Sequence, residues 1–238
     1  ETPLQPNEFI PIAETTGFIH ELGDWVLDTA LAQFAVWYGH QAPLKRIAIN
    51  VSTVQLCRPD FERRLLLKLE QYKLPPGALE IEITESAMMD NMVDVEQKLR
   101  ALKAMGVHVV IDDFGTGYCG LSYLQQMPLD ILKADRCFIA ALGTDAVNAD
   151  LLETIIQLAR KLNLVLIAEG VEEPVQAFRL QSMGVEIQQG WYHGRPMSPQ
   201  QIYGRWELNR RRISSKDYSG KVAPKSPVAD HKGELPTA

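Results

Sequence analysis

Acidic side chains stand at the ends of several short apolar runs in this 238-residue sequence. Asp112 and Asp113 close one run, while Glu82 and Glu169 close two others. Carboxylates gathered at one place need a counter-charge, because each disfavours the ionised form of its neighbours. With the amide oxygen of Asn50, which ends a fourth run, they form an all-oxygen set that suits Mg²⁺ or Mn²⁺ better than zinc.

Lys133 ends a fifth run and is the basic residue among these polar ends. A lysine in that place could position or deprotonate a water, or it could meet the negative charge of a phosphate. The competing interpretation of an aspartate after a strand is a solvated residue that caps the next helix. Acidic residues at the ends of three separate apolar runs favour a metal site over that interpretation.

A glycine pattern offers a second chemistry. Residues 115–120 fit G-x-G-x-x-G after an apolar run, and Asp135 lies about 20 residues beyond the first glycine, a spacing typical of dinucleotide-binding sites. We set that interpretation aside because Asp112 and Asp113 stand where the pyrophosphate would dock. The segment before Asp130 is also too short for the full helix that such a site requires. The glycines then predict a mobile loop beside the metal site.

Six strand-like runs alternate with amphipathic stretches, a pattern that predicts βα units and a parallel sheet. The predicted strands are Arg46–Val51, Leu79–Thr84, Val107–Ile111, Asp130–Lys133, Leu164–Ala168 and Val185–Gln188. The predicted helices are Phe9–Thr15, Trp25–Tyr38, Phe61–Gln71, Met92–Met105, Asp150–Leu162, Pro174–Ser182 and Pro199–Arg212. Most of the strands are apolar throughout, as expected for strands buried on both faces.

Nearly every predicted strand has a polar residue at or next to its carboxyl end, and this observation decides between two architectures. An open doubly wound sheet brings only the strands at its switch point to a ligand, whereas a (β/α)8 barrel gathers all its strand ends at one face. We therefore predict an α/β fold, a TIM-like (β/α)8 barrel. Such a barrel needs eight strands, whereas six are visible and the sequence begins on a helix, so we expect the first two strands to be missing.

The composition of the sequence narrows the classes of binding partner and the cellular compartment that we expect for this protein. The net charge of −6 argues against binding to duplex nucleic acid. Three widely spaced cysteines without a CxxC pair, and no apolar run of membrane-spanning length, predict a soluble, cytoplasmic domain, although a parent protein could be membrane-anchored through upstream segments. Residues 1–212 are expected to form the domain and residues 213–238, rich in turn formers, a disordered tail.

Six motifs, taken in order, resemble those of the EAL-domain cyclic-di-GMP phosphodiesterases. They are Asn50–Ser52, Glu82–Glu85, Asp112–Tyr118, Lys133–Asp135, Ala168–Glu172 and Gln189–Gly190. The resemblance spans about Asn7 to Pro196, and an ordered series is far more specific than any single motif. It implies an EAL-type modified TIM barrel that binds two Mg²⁺ or Mn²⁺ ions and hydrolyses cyclic-di-GMP to linear pGpG.

The resemblance also implies a role for each candidate site residue. The metal ligands would be Asn50, Glu82, Asp112 and Asp113. Asp112 would bridge the two ions, Lys133 would hold the attacking water, and Glu169 would be the general base or a water-mediated metal partner. The substrate-binding residues would be Gln189, Asp135 and Glu172. Glu85 would anchor the Phe114–Tyr118 loop.

The sequence departs from the family pattern in one respect. The namesake Glu-Ala-Leu motif, whose Glu is a metal ligand, belongs just before the helix that contains Glu8 and Glu14, and neither it nor its nearby Arg is in this chain. Two hypotheses therefore stand: a metal-dependent phosphodiesterase in the intact parent, and a degenerate module that binds cyclic-di-GMP or a protein partner. We expect the chain alone to be poorly soluble or oligomeric with low activity, and the parent to be a homodimer with an upstream sensor or cyclase domain.

Overall fold

The computed structural model describes residues 4–86, 92–117, 121–142 and 146–207. The chain divides into two compact units, Glu1–Pro196 and Met197–Ala238. In the second unit, residues 199–207 are helical, and the rings of Tyr203 and Trp206 meet edge to face with 5.3 Å between their centroids. The predicted domain end at residue 212 and the predicted disordered tail, 213–238, lie outside the described residues.

The first unit alternates strands and helices along the chain. Its described helices are α1 (Pro6–Thr16), α2 (Ile19–Gly39), α3 (Thr53–Leu56), α4 (Phe61–Gln71), α5 (Met92–Ala104), α6 (Leu121–Gln126), α7 (Arg136–Ala140), α8 (Ala146–Lys161) and α9 (Pro174–Ser182). Its described strands are β1 (Ile47–Asn50), β2 (Leu79–Thr84), β3 (His108–Phe114), β4 (Ile131–Ala134), β5 (Val165–Ala168) and β6 (Ile187–Gln188).

The described strands form one six-stranded sheet in the order β1-β2-β3-β4-β5-β6, so each strand pairs with its neighbours in sequence. Every pair is parallel. The sheet curls into a half-barrel with helices packed against it, which confirms the predicted TIM-like architecture. Because the strands all run the same way, their carboxyl ends meet at one edge of the curled sheet.

The boundaries of several elements follow the hydrophobic pattern. β2, α4 and α9 have the predicted bounds. β3 runs on to Phe114, beyond the predicted end at Ile111, because Phe114 still pairs with Ala134 of β4. α8 begins at Ala146, four residues before the predicted start at Asp150.

The core lies between the sheet and the helices that cover it. In α2 the buried residues Leu27, Leu31 and Phe34 recur at helical spacing and form one apolar stripe. The consecutive residues Val109–Ile111 of β3 are fully buried, so both faces of this strand are covered. Burying one such side chain contributes about 1.5–3 kcal/mol, and this burial holds the strand ends in place. Within the described part of the chain, no helix is both long and apolar enough to cross a membrane.

Candidate active site

Strand order places the predicted site residues around one edge of the sheet. Glu82 lies on β2, Asp112 and Asp113 lie on β3, and Lys133 lies on β4. Glu169 directly follows β5, and its backbone N–H donates to the carbonyl of Ala134 at the end of β4. The neighbouring strands thus bring residues that are far apart in sequence to one location.

The Lys133 ammonium lies at the centre of this arrangement. Its Nζ is 2.5 Å from Glu169 Oε1, 3.1 Å from Glu82 Oε1 and 3.1 Å from Asp112 Oδ1. Lys133 is only 3% exposed, and Glu82 and Asp112 are also buried. Each of the three N–H donors of the ammonium can therefore meet a separate carboxylate.

A β-bulge at the end of β3 presents two adjacent aspartates. Ile111 pairs with Leu132 and Phe114 pairs with Ala134, so β3 carries one more residue than β4 between these pairs. Asp113 takes a left-handed backbone conformation with φ of 53°. The bulge leaves Asp112 buried and Asp113 exposed, and the Asp113 N–H donates to Asp112 Oδ1 at 3.0 Å.

Three carboxylates of the site have the arrangement of a metal-binding group. One oxygen from each of Asp112, Asp113 and Glu169 lies within 4.8 Å of the other two. Partial desolvation raises the pKa of Asp113, although its side chain is largely exposed, and the nearby charges of Asp112 and Asp135 raise it further. Hard oxygen donors that crowd together in this way are the ligands that Mg²⁺ and Mn²⁺ prefer. The residues present therefore fit a divalent cation.

Burial also raises the pKa of Glu82 and of Glu169, two of the acidic partners of Lys133. Desolvation raises the pKa of Glu82 and of Glu169, although the Lys133 charge opposes each rise. For Lys133 itself, burial favours a lower pKa, but the hydrogen bond to Glu169 and the charges of Glu82 and Asp112 raise the pKa overall. Lys133 is thus an ammonium ion, and Glu169 accepts a proton more readily than an exposed glutamate does.

The buried carboxylate of Glu85 binds the backbone of the loop after β3. Glu85, 2% exposed, accepts the N–H of Gly115 at 2.8 Å and that of Gly117 at 3.3 Å through Oε2. Gly115 has a φ of 97°, and a Cβ there would lie 2.6 Å from the Phe138 ring, so the turn requires glycine. Tyr118 and the third glycine of the pattern lie outside the described residues.

The remaining predicted site residues lie at or just after the ends of β1, β4, β5 and β6. Asn50 is exposed and pairs in register with Glu82. Asp135 caps α7, because its Oδ1 accepts the Cys137 N–H at 2.8 Å. The backbone of Gln189 bonds to Ala168 and Val171, and Glu172 and the Gln189 side chain are exposed.

One residue that the sequence reasoning missed is Gln176 in the first turn of α9. Its buried side chain bonds to Glu172, Glu173 and Ile139. Glu173 followed by Pro174 and, three positions on, by Gln176 is a helix-start signal that could have drawn attention to it.

The geometry agrees with what comparison with known proteins finds. The model of the EAL domain family matches residues 1–196. The chain belongs to the EAL domain family. This confirms the family resemblance of the six motifs, and it accounts for a parallel half-barrel whose acidic strand ends meet at one edge.

Several EAL proteins are close relatives over most of this chain. It is 39% identical over 199 residues to the bifunctional diguanylate cyclase/cyclic di-GMP phosphodiesterase MucR of Pseudomonas aeruginosa. The aligned region covers 84% of this chain and 29% of MucR. This chain is 39% identical over 196 residues to the cyclic di-GMP phosphodiesterase NbdA of the same organism, covering 82% of this chain and 25% of NbdA. The chain thus spans less than a third of the length of these curated relatives.

Solved EAL structures have the same fold. The MucR phosphodiesterase in complex with c-di-GMP matches with a TM-score of 0.80 at 39% identity, over 84% of this chain and 81% of that one. The EAL domain of Mycobacterium smegmatis DcpA matches with a TM-score of 0.76 at 36% identity, over 80% of this chain and 86% of that one.

Proposed function

We propose that this EAL domain is a metal-dependent phosphodiesterase that hydrolyses cyclic-di-GMP to linear pGpG. The observation that carries the proposal is the buried Lys133 ammonium held by Glu82, Asp112 and Glu169 beside the Asp112–Asp113–Glu169 carboxylate group. The names of the relatives MucR and NbdA and the c-di-GMP complex of MucR support the choice of substrate.

The carboxylates of the site are suited to hold divalent cations against an anionic substrate. Asp112, Asp113 and Glu169 present the grouped oxygens, and Glu82 and Asn50 would add ligands from the neighbouring strands. A bound Mg²⁺ or Mn²⁺ ion supplies positive charge that neutralises the phosphate and lowers the pKa of a water. Because the protein carries a net charge of −6, this local positive charge is needed for binding.

Lys133 and Glu169 would perform the proton and charge chemistry. Lys133 orients the carboxylates through three ion pairs, and one of its N–H donors can instead hold the attacking water or a phosphate oxygen. Glu169 has a pKa raised by burial, which suits a group that takes a proton from that water. The water oxygen would then bond to phosphorus as the bond from phosphorus to one sugar oxygen breaks, and that sugar oxygen would take up a proton from solvent water to give the linear dinucleotide.

The residues around the cluster would hold the substrate. Gln189 and Glu172 have exposed side chains at the same edge of the sheet, and Asp135 follows Lys133 on the adjacent strand end. Glu85 would keep the loop after β3 over the site through the amides of Gly115 and Gly117. The homodimer and the upstream domain expected from the family resemblance stay predictions.

The test is hydrolysis of cyclic-di-GMP with Mg²⁺ or Mn²⁺ by a version extended upstream to carry a Glu-Ala-Leu strand, followed by chromatographic separation of pGpG. Glu82→Gln or Asp112→Asn should lower turnover to near zero, since each removes a charge that holds a metal. Glu80→Gln is the matched control: Glu80 lies on the same strand but pairs with the exposed Arg46 at 2.8 Å.

Two results would contradict the proposal. Near-normal turnover in Glu82→Gln or Asp112→Asn at limiting metal would show that the substituted residue is not a metal ligand. If a version extended upstream to carry a Glu-Ala-Leu strand bound cyclic-di-GMP with metal present but never released pGpG, the binding-module hypothesis would replace the enzyme.

A further inference from the structure

Gln176 lies outside the carboxylate cluster, yet it is 9% exposed and hydrogen-bonded at both ends of its amide. Its Oε1 accepts the backbone N–H of Glu172 at 2.8 Å and that of Glu173 at 3.0 Å. Its Nε2 donates to the carbonyl of Ile139 at 3.3 Å. A buried amide with three backbone partners is held in one orientation, and removing it leaves those partners without their hydrogen bonds.

These hydrogen bonds join the two segments that carry the proposed catalytic pair. Ile139 belongs to α7, which begins three residues after Lys133. Glu172 and Glu173 belong to the segment that follows β5 and starts with Glu169. Gln176 therefore links the chain that leaves β4 to the chain that leaves β5, the two segments whose first residues include Lys133 and Glu169, in contact at 2.5 Å between Nζ and Oε1.

A second, independent contact joins the same two segments. Gly170 has a φ of 71°, and a Cβ at this position would lie 2.3 Å from Arg136 Cβ and 3.1 Å from Arg136 Cα. The backbones approach so closely that no side chain fits between them. The segment after β5 and the start of α7 are therefore in direct backbone contact at Gly170 and Arg136, so a change in one segment is transmitted to the other.

We propose that Gln176 is a positioning residue that fixes Glu169 against Lys133. Its catalytic consequence rests on the proposed function, whereas its structural consequence does not. These hydrogen bonds of Gln176 go to the backbone of Glu172, Glu173 and Ile139 and to no carboxylate of a proposed metal ligand. When the link is cut, the segment moves relative to α7, and the Lys133–Glu169 hydrogen bond lengthens or loses occupancy.

The experiment compares Gln176→Ala with the control Gln181→Ala, which removes an exposed glutamine from the same helix. The first readout is steady-state hydrolysis of cyclic-di-GMP. Removing an outer hydrogen-bond partner of a site typically lowers activity by about 10–100-fold, and we expect this loss in kcat with KM changed by less than about threefold. Gln181→Ala should behave as the wild type.

The second readout needs no turnover. The ¹⁵N signal of the Lys133 side-chain ammonium, identified by its absence in Lys133→Met, reports its hydrogen bond to Glu169. This signal should shift in Gln176→Ala and stay in place in Gln181→Ala. A loss of stability alone would not move a signal measured in the folded protein.

Gln176→Glu provides a second variant if Gln176→Ala fails to fold. A carboxylate still accepts the N–H groups of Glu172 and Glu173 but cannot donate to Ile139, so the link to α7 alone is cut. We expect the same shift of the Lys133 signal.

Each possible outcome decides the inference. An unmoved Lys133 signal in the folded variants overturns it, whatever happens to kcat. A moved signal with wild-type kcat overturns the catalytic consequence. If a version extended upstream to carry a Glu-Ala-Leu strand shows no turnover, the proposed function fails, and the ammonium signal still decides whether Gln176 positions Glu169.

Discussion

Replacing Lys133 with methionine should strongly destabilise this EAL domain while leaving its shape intact. Methionine follows the path of the lysine stem without branching, so the change removes the ammonium and little else. Glu82, Asp112 and Glu169 would then lose the positive charge that lies 2.5–3.1 Å from their oxygens.

The size of the effect follows from burial. Breaking a buried ion pair by removing one partner costs about 3–5 kcal/mol, because a charge is left without a counter-charge. The side chains of Asp112 and Glu169 are 11% and 17% exposed and keep some hydration, so we take the lower end, about 3 kcal/mol. In a domain of this length each 1 kcal/mol lowers Tm by about 2–4 °C, which gives a fall of about 6–12 °C.

The destabilisation should depend on pH in a defined direction. Lys133 opposes the rise in pKa that burial causes at Glu82 and Glu169, so its loss raises both pKa values further above the ordinary 4.5. A carboxyl group whose folded pKa exceeds its unfolded pKa destabilises the fold above the folded pKa, and the penalty disappears below the unfolded pKa. The gap in stability between wild type and Lys133→Met should therefore narrow as pH falls from 8 towards 4.5.

The assay is urea unfolding of the metal-free protein at several pH values. The matched control is Lys103→Met, since Lys103 pairs with Asp130 at 2.6 Å but is 35% exposed, and such a pair contributes about 1 kcal/mol or less. If Lys133→Met were no less stable than Lys103→Met at pH 8, or if its deficit stayed constant with pH, the Lys133 charge would not be what holds the carboxylates together.

Three further predictions concern the surroundings of the site. Asp113→Asn should raise Tm of the metal-free protein by about 1–2 °C, because it removes repulsion from neighbouring carboxylates and asparagine tolerates a positive φ. The gain in Tm on adding Mn²⁺ should be smaller in this variant than in the wild type. Equal gains in the two proteins would contradict the role of Asp113 as a metal ligand. Glu85→Gln should speed hydrogen exchange of the Gly115 amide, measured by NMR, because a charged acceptor at 2.8 Å becomes a neutral one; unchanged exchange would mean that the carboxylate does not hold the loop. Desolvation and a hydrogen bond to Asp135 raise the pKa of Cys137 to about 11, so alkylation at pH 8 should be slow and should accelerate in Asp135→Asn, as followed by peptide mass spectrometry. Equal alkylation rates would show that Asp135 does not control the thiol.

Much of the architecture could be predicted from local pattern. The bounds of α4 and α9 follow from apolar residues at helical spacing, and those of β2 follow from a short apolar run bounded by polar residues. These signals are local, because burial on one face of a helix or both faces of a strand imposes a period on the sequence itself. The polar strand ends, such as Asp112 and Asp113, could be found in the same way.

The contacts between those strand ends are decided by the tertiary structure alone. That Lys133 meets three carboxylates depends on strand order, register and the curl of the sheet, which no local period encodes. The bulge that turns Asp113 outward while Asp112 stays buried depends on how β3 pairs with β4. Asp135 illustrates the limit most simply: its position beside Lys133 is plain in the sequence, but only the fold shows that its carboxylate caps α7.

The role of Gln176 also appears only in the folded protein. The sequence by itself determined a helix start at Glu173–Pro174, because capping preferences act within a few residues along the chain. It did not determine the bond to Ile139, which lies 37 residues away and comes into reach only when β4 and β5 pair. Local propensities thus set which elements form and where the acidic residues stand, whereas the pairing of distant strands decides which side chains can act together.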